Sequence, residues 1–392
     1  MVNECGVCFG SLKKIIDVPG SSRGNSISVC ENCGILQYIE SDDYIPEKDP
    51  HSIKFKGKRH IEPSQGAMWG NIRHGKGLRL DAHKSLLYKT LKNSSPQVIF
   101  DDGANRGHFG RFILENFKNT KYIGCEPDPI CFESYKDNNT PKINKNYTEN
   151  FRFTDQVDFI YSCHTLEHVD SVYEHMKKIS TSLKEGGTLF LDLPNTENIN
   201  FEELIFEEYF VEKHKYNFML DDVLNILFFS GFKTNIIKSD PFNMTLVAKK
   251  TDDASFLLSD ITSSREKVNN RIKEVLNYYE KMNESNEAFK VICKNINKFK
   301  KNSSVVFYGG GRLLLSFFSK GLDNVNLDAV IDNYLFDKTK FCGENKLYHS
   351  DKLKEVSKNT PIIIFGRSST DSIKSNLHSH GFSEVKSFIE FL

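Results

Sequence analysis

The sequence predicts a multi-domain α/β protein, with a mainly parallel sheet at its centre, a cysteine ribbon ahead of it and a second α/β unit behind. Three observations carry this. The stretch Val98-Ile99-Phe100-Asp101-Asp102-Gly103-Ala104-Asn105-Arg106-Gly107-His108-Phe109-Gly110 reads as a strand, a tight turn and the start of a helix. Short apolar runs alternate with helical patterns from about residue 95 to 250. Two C-x-x-C pairs stand near the start, and a second strand-turn-helix pattern begins at Ser304.

At 392 residues the chain exceeds one ordinary core, and about 150 residues per domain suggests two or three. Lys+Arg and Asp+Glu are equal at 52 each, so no global field draws the chain to nucleic acid or to an anionic membrane. No apolar run approaches the roughly 18 residues that span a bilayer, and Met1-Val2-Asn3-Glu4-Cys5 lacks the pattern of a signal peptide. The expected setting is the cytoplasm, with a small-molecule substrate, no nucleic acid and no membrane. Oligomeric state is not legible.

The division expected is a ribbon over 1–45, a connecting segment and lid over 46–94, a cofactor domain over 95–250, a helical linker over 251–302 and a C-terminal α/β domain over 303–392. In the ribbon, Cys5 and Cys8 are separated by 21 residues from Cys30 and Cys33. Two such turns supply four thiolates, a closed shell that structural zinc prefers; redox pairs are the alternative. Such a ribbon has little core of its own, and the expectation is a core separate from the cofactor domain. The other cysteines, Cys125, Cys131, Cys163, Cys293 and Cys342, sit among apolar neighbours as buried thiols do.

In the next segment Arg73, Lys76 and Arg79 lie near the only tryptophan, Trp69, and two glycines. They read either as a solvated linker or as a loop across the cofactor mouth, where the guanidinium groups would pair with a substrate phosphate. A helix follows near residues 81–91.

Strands are expected at Val98–Phe100, Tyr122–Cys125, Phe159–Ser162, Thr188–Leu193, Lys233–Ile237 and Met244–Ala248. Ligands of such sheets bind beyond the carboxyl ends of the strands. The first strand ends at Asp101, and Gly103 and Gly107 let a ligand approach the backbone where a new helix offers free N–H groups. The second ends at Glu126 and Pro127, nineteen residues past Gly107, where a carboxylate can accept both hydroxyls of a ribose. A dinucleotide fingerprint would place its first two glycines one residue apart, whereas three residues separate Gly103 from Gly107.

The spacing D-x-G-x-x-x-G resembles the first motif of class I S-adenosylmethionine (SAM) methyltransferases. Leu166-Glu167-His168, after the strand ending in Cys163 and His164, resembles their LEH segment, and Asp192-Leu193-Pro194-Asn195 resembles a further motif that opens the substrate pocket. The resemblance implies a Rossmann-like domain holding SAM with Asp101, Gly103, Asn105, Gly107, Glu126, Pro127, Cys163 and His164, and places Glu167, His168 and Asn195 towards the substrate. Read without it, Leu166–His168 is the first turn of a helix, whose positive end disfavours an imidazolium at His168.

His214-Lys215-Tyr216-Asn217-Phe218 ahead of a helix over 221–229 resembles the same region of small-molecule methyltransferases; read alone it is a loop histidine. With the ribbon in front and an α/β domain behind, the chain resembles sugar C-methyltransferases that act on nucleotide-linked keto-sugars. Their general base corresponds to His214, although Lys213 stands where that family has glutamate. The resemblance thus implies C- or O-methylation of a nucleotide-linked sugar or surface-glycan precursor.

Between the domains, Ile261, Val268, Ile272, Val275, Leu276, Tyr279 and Met282 recur at helical spacing. Gly309-Gly310-Gly311 then follows an apolar run, with Asp332 21 residues past Gly311. This is a second Rossmann-like pattern, either a nucleotide pocket or a surface that binds nothing. Two other functions stay open on sequence: a non-catalytic zinc-ribbon scaffold that binds nucleotides, and a methyltransferase acting on protein or RNA.

Overall fold

The computed structural model describes residues 4–18, 25–40, 79–128, 131, 135, 141–197, 214–239, 243–251, 255–299, 303–310, 312–322, 325–336, 341–342, 345–366 and 370–392. The chain divides into two compact units, 1–199 with 208–277, and 200–207 with 278–392. Arg73, Lys76 and Lys213 lie outside the described residues, as does the side chain of Arg79.

The first unit opens with β1 (Leu12–Asp17), β2 (Ser26–Cys30) and β3 (Leu36–Ile39), an antiparallel ribbon. Helix α1 (Arg79–Ser94) leads into β4 (Val98–Asp102), α2 (His108–Asn116), β5 (Lys121–Cys125), β6 (Ile143–Asn144), β7 (Val157–Cys163), α3 (Val172–Ser182) and β8 (Leu183–Pro194). The two-residue β9 (Tyr216–Asn217) then joins the ribbon by pairing with β3, before α4 (Leu220–Phe229), β10 (Phe232–Ser239) and β11 (Asn243–Lys250). The central sheet has the order β10-β11-β8-β7-β4-β5-β6. Its five strands β4 to β8 run parallel, and β10 and β11 close one edge antiparallel.

All six strands expected in this domain form. Their central runs, Ile99-Phe100 and Phe159-Ile160, are fully buried, as strands covered on both faces must be. The strand order reverses between β4 and β7, so the crevice for a ligand opens where these two strands end.

The ribbon does not have the separate core expected of it. Cys5, Val7, Cys8, Cys30 and Ile35 belong to one buried cluster with Phe100, Leu166, Tyr216 and Phe218 of the cofactor domain. Gly6 carries the seam: its N–H donates to Gln37 Oε1 (3.1 Å), its carbonyl accepts from Tyr173 N (2.9 Å) and Ser171 Oγ (3.2 Å), and a Cβ there would collide with the Tyr216 hydroxyl.

Helix α5 (Arg265–Lys298) is the amphipathic helix expected between the domains. Val268, Val275 and Tyr279 are buried, but Leu276 faces solvent, because the apolar stripe continues through Tyr278 instead. The division between the units falls inside this helix, after Asn277, so it is not a free linker. Its first part is fixed by buried Arg271, which binds Asp221 (2.9 Å) and Asp222 (3.1 Å) at the start of α4.

The second unit contains β12 (Val305–Tyr308), α6 (Arg312–Ser319), β13 (Leu327–Ile331), α7 (Asn333–Phe336), β14 (Phe341–Cys342), β15 (Asn345–Tyr348), β16 (Ile362–Ile364), α8 (Thr370–Ser379) and β17 (Val385–Ser387). They build a six-stranded sheet of order β14-β15-β13-β12-β16-β17, parallel except for β14. At its glycine turn Gly310 N donates to Asp332 Oδ2 (2.9 Å), and Cβ atoms at Gly309 and Gly310 would press on Phe365 O and Leu347.

Candidate active site

The turn after β4 is built from backbone conformations that side chains resist. Gly103 and Gly107 both have φ 75°, and Asn105 has φ 47°. Gly103 needs to be glycine twice over, since a Cβ would also run into Thr165 Oγ1 from the loop after β7. Gly107 caps α2 without any side-chain bond, leaving the first-turn N–H groups facing the turn.

Three carboxylates surround this turn. Glu126, at the end of β5, accepts from Asn105 N (2.7 Å) and Asp128 N (2.8 Å), which fixes both oxygens while leaving each a further lone pair. Burial pushes its carboxyl up to about 7. Asp101, at the end of β4, is 1% exposed and accepts from the Tyr122 hydroxyl, yet burial still pushes it up to about 8. A site that holds two acids this poorly compensated favours a ligand bringing hydroxyl donors or positive charge.

Asp102 is the third, and it is compensated. It accepts from Thr148 Oγ1 (2.6 Å), Ser162 Oγ (2.7 Å) and His175 Nε2 (3.0 Å), while His175 Nδ1 donates to Glu149 (2.7 Å). Burial opposes charge on both partners. The two carboxylates nevertheless push His175 up to about 10, and its imidazolium with the two hydroxyls holds Asp102 below the usual carboxylate range.

The loop after β7 supplies the opposite wall. His164 has φ 52°, its N–H donates to Asp192 O (2.7 Å), and its Nε2 bonds Asn243 Oδ1 (2.9 Å). Asn243 Nδ2 in turn donates to Asp192 Oδ1 (2.8 Å), which orients the amide so that His164 Nε2 carries the proton. Cys163 Sγ donates to Asp192 Oδ2 (3.5 Å). Asn195 is buried and bonded to Ser239 Oγ (3.1 Å) and Glu197 N (2.9 Å). Pro127 is half-buried beside Glu126.

Leu166–His168 is a single 3-10 turn and not the first turn of a helix; α3 starts at Val172 after Ser171, whose Oγ accepts from Glu174 N (3.2 Å). The dipole argument against His168 therefore falls away. Glu167 is buried, with Oε1 3.2 Å from His164 Nδ1 and 3.8 Å from His168 Nε2. The pairing of β9 with β3, with Tyr38 N donating to Lys215 O (2.8 Å), brings His214 to His168, ring centres 4.9 Å apart. Glu167, His168 and His214 thus meet in space.

The four ribbon cysteines also converge. Cys5 and Cys33 sulfurs are 3.7 Å apart, and Cys8 and Cys30 sulfurs 3.5 Å, near the ~3.8 Å edge of a tetrahedron with metal–sulfur bonds of about 2.3 Å. Cys33 N (3.4 Å), Val7 N (3.4 Å) and Asn32 Nδ2 (3.6 Å) donate to the sulfurs, as suits thiolates. Hydrogen bonds among the facing thiols pull Cys8 and Cys30 down and push Cys5 and Cys33 up, so the four ionise together only with a cation among them.

Sequence reasoning missed Tyr122, Tyr135, Thr165 and His83. Tyr135 donates to Asn105 O, and His83 Nε2 meets the Tyr161 hydroxyl at 2.8 Å. No short motif marks these residues; the fold brings Tyr122, Tyr135 and Thr165 to the turn and its flanking acid, and His83 to β7.

A strained glycine turn between β4 and α2, a carboxylate closing β5 and a parallel sheet with an antiparallel edge define a Rossmann-like domain of the class I SAM methyltransferase kind. Residues 76–221 match the family model described as a methyltransferase domain, and the chain is a SAM-dependent methyltransferase. Among curated proteins none matches it. Similar solved structures include the O-methyltransferase of a Brevibacillus brevis trans-AT polyketide synthase with S-adenosylhomocysteine (16% identity, 49% of this chain, 82% of that one, TM-score 0.37). Another is the Burkholderia thailandensis 1,6-didemethyltoxoflavin N1-methyltransferase (12% identity, 61% and 100%, TM-score 0.39). A third is a SAM-dependent methyltransferase from Mesorhizobium loti (14% identity, 43% and 97%, TM-score 0.35).

Proposed function

We propose that the enzyme transfers the SAM methyl to a small molecule, a nucleotide-linked sugar or related glycan precursor, with His214 taking the acceptor's proton. SAM lies with its amino-acid end over Gly103, Asn105 and Gly107, near Asp101, its ribose on Glu126, and Cys163 and His164 along its other side. The observation that carries this reading is the pair of raised carboxylates, Asp101 and Glu126, flanking a turn of positive φ at the sheet's switch point. Transfer is an in-line displacement at the sulfonium methyl, so alignment contributes most and a base removes the proton of the attacking group.

His214 and His168 meet beside the buried carboxylate of Glu167. Zinc fits the four ribbon thiols, filling its shell with sulfur and leaving no position for substrate. The neutral net charge favours a small molecule over RNA. The glycan assignment, together with a nucleotide-holding role for the C-terminal unit and phosphate pairing by Arg73, Lys76 and Arg79, rests on the sequence resemblance.

The test is calorimetry with S-adenosylhomocysteine. Glu126→Ala is expected to weaken binding by roughly 1.5–3 kcal/mol. Unchanged affinity would remove the ribose assignment.

A further inference from the structure

We infer that Glu167, His168 and His214 form a second metal site, which takes a divalent ion of the zinc or cobalt class and thereby regulates the proton acceptor. The inference rests on the methyl-transfer reading for its consequence, though not for the binding itself.

One ligand atom from each residue, two imidazole nitrogens and a carboxylate oxygen, lies within 4.8 Å of the others. Two imidazoles and a carboxylate suit borderline transition ions and leave open positions, whereas magnesium and calcium prefer oxygen shells. The ligands stand on two fixed pieces of backbone. Glu167 and His168 share the 3-10 turn, where His168 N donates to Thr165 O (2.9 Å), and His214 directly precedes the strand pair β3–β9.

A third imidazole stands behind the carboxylate. His164 Nδ1 sits 3.2 Å from Glu167 Oε1, and the ring is itself held through Nε2 to Asn243. An ion with bonds of about 2.0–2.2 Å would draw the three atoms together from these separations. The His168 side chain is 38% exposed.

An ion here occupies the imidazole lone pair that would otherwise accept the acceptor's proton. Metal and proton therefore exclude each other at His214, and occupancy silences the base without touching the cofactor turn.

The experiment adds Co2+ to the full-length, zinc-loaded protein and follows binding by calorimetry and by visible absorption, with S-adenosylhomocysteine binding measured on the same samples. Expected is one Co2+ beyond the zinc, giving the weak visible bands of nitrogen and oxygen ligands. Its affinity should fall at least tenfold in each of His168→Ala, His214→Ala and Glu167→Gln, while S-adenosylhomocysteine binds all four proteins. A protein that takes no further Co2+, takes it only with intense thiolate bands from the ribbon, or binds it equally in all three variants overturns the proposal. Triad-dependent Co2+ binding without S-adenosylhomocysteine binding would keep the metal site and remove the methyl-transfer reading of the pocket.

Discussion

Glu126 and Asp101, pushed up by burial to about 7 and about 8, must ionise fully to serve a ligand's hydroxyl and ammonium groups. Ligand binding is then coupled to proton release. S-adenosylhomocysteine affinity is expected to rise as pH rises through about 7 to 8 and to level off above that; titration at several pH values in buffers of different ionisation enthalpy checks both slope and proton count. For the base, His214→Ala should lower kcat roughly a hundredfold with little loss of SAM affinity. Normal turnover in that variant with loss in His168→Ala would exchange their roles. Sequence alone made Glu126 visible, because an acid ending the second strand is a local pattern. It could not make Asp102 intelligible. An acid on a central buried strand looks like an error until His175, from a helix 73 positions on, is seen to bind it. That pair also sets a limit: His175 is raised from 6.5 to about 10, so its stabilisation is complete below about 6.5 and is lost as pH rises towards 10.

At the level of elements, the structure rests on close approaches between loops. Gly103→Ala would force a φ of 75° on a side-chain residue and drive its Cβ into Thr165, prising the β4 turn from the loop after β7. A loss of roughly 1–3 kcal/mol and weaker cofactor binding are expected, measurable by denaturant titration and calorimetry. The six expected strands were legible as short apolar runs with fixed punctuation. Strands β6 and β9 were not. Each has two residues, too few for any period, and each exists only because a neighbouring edge is there to pair with. The helix read over Leu166–His168 failed for a related reason: its acid suits a helix start, but Ser171 offers the better cap.

Across the first unit, the ribbon and the cofactor domain share one buried cluster. If zinc fills the four ribbon thiols as proposed, chelating it should therefore lower the melting temperature of the whole unit and weaken S-adenosylhomocysteine binding; scanning calorimetry with and without chelator checks it. Two separate transitions with unchanged ligand affinity would restore the picture of independent cores. Pairing β3 with β9 also makes folding order matter. Leu36 waits for Asn217, so nearly the entire cofactor sheet is synthesised between the two edges of one small sheet. On the ribosome the four cysteines emerge early, but the fourth strand arrives only after β8 has left the exit tunnel. Closing so long a loop is slow when the intervening chain is unfolded and fast once the sheet has brought its ends together. The parallel strands β4 to β8 therefore form before β9 docks, so His214 comes to His168 only in a chain that has already folded around them.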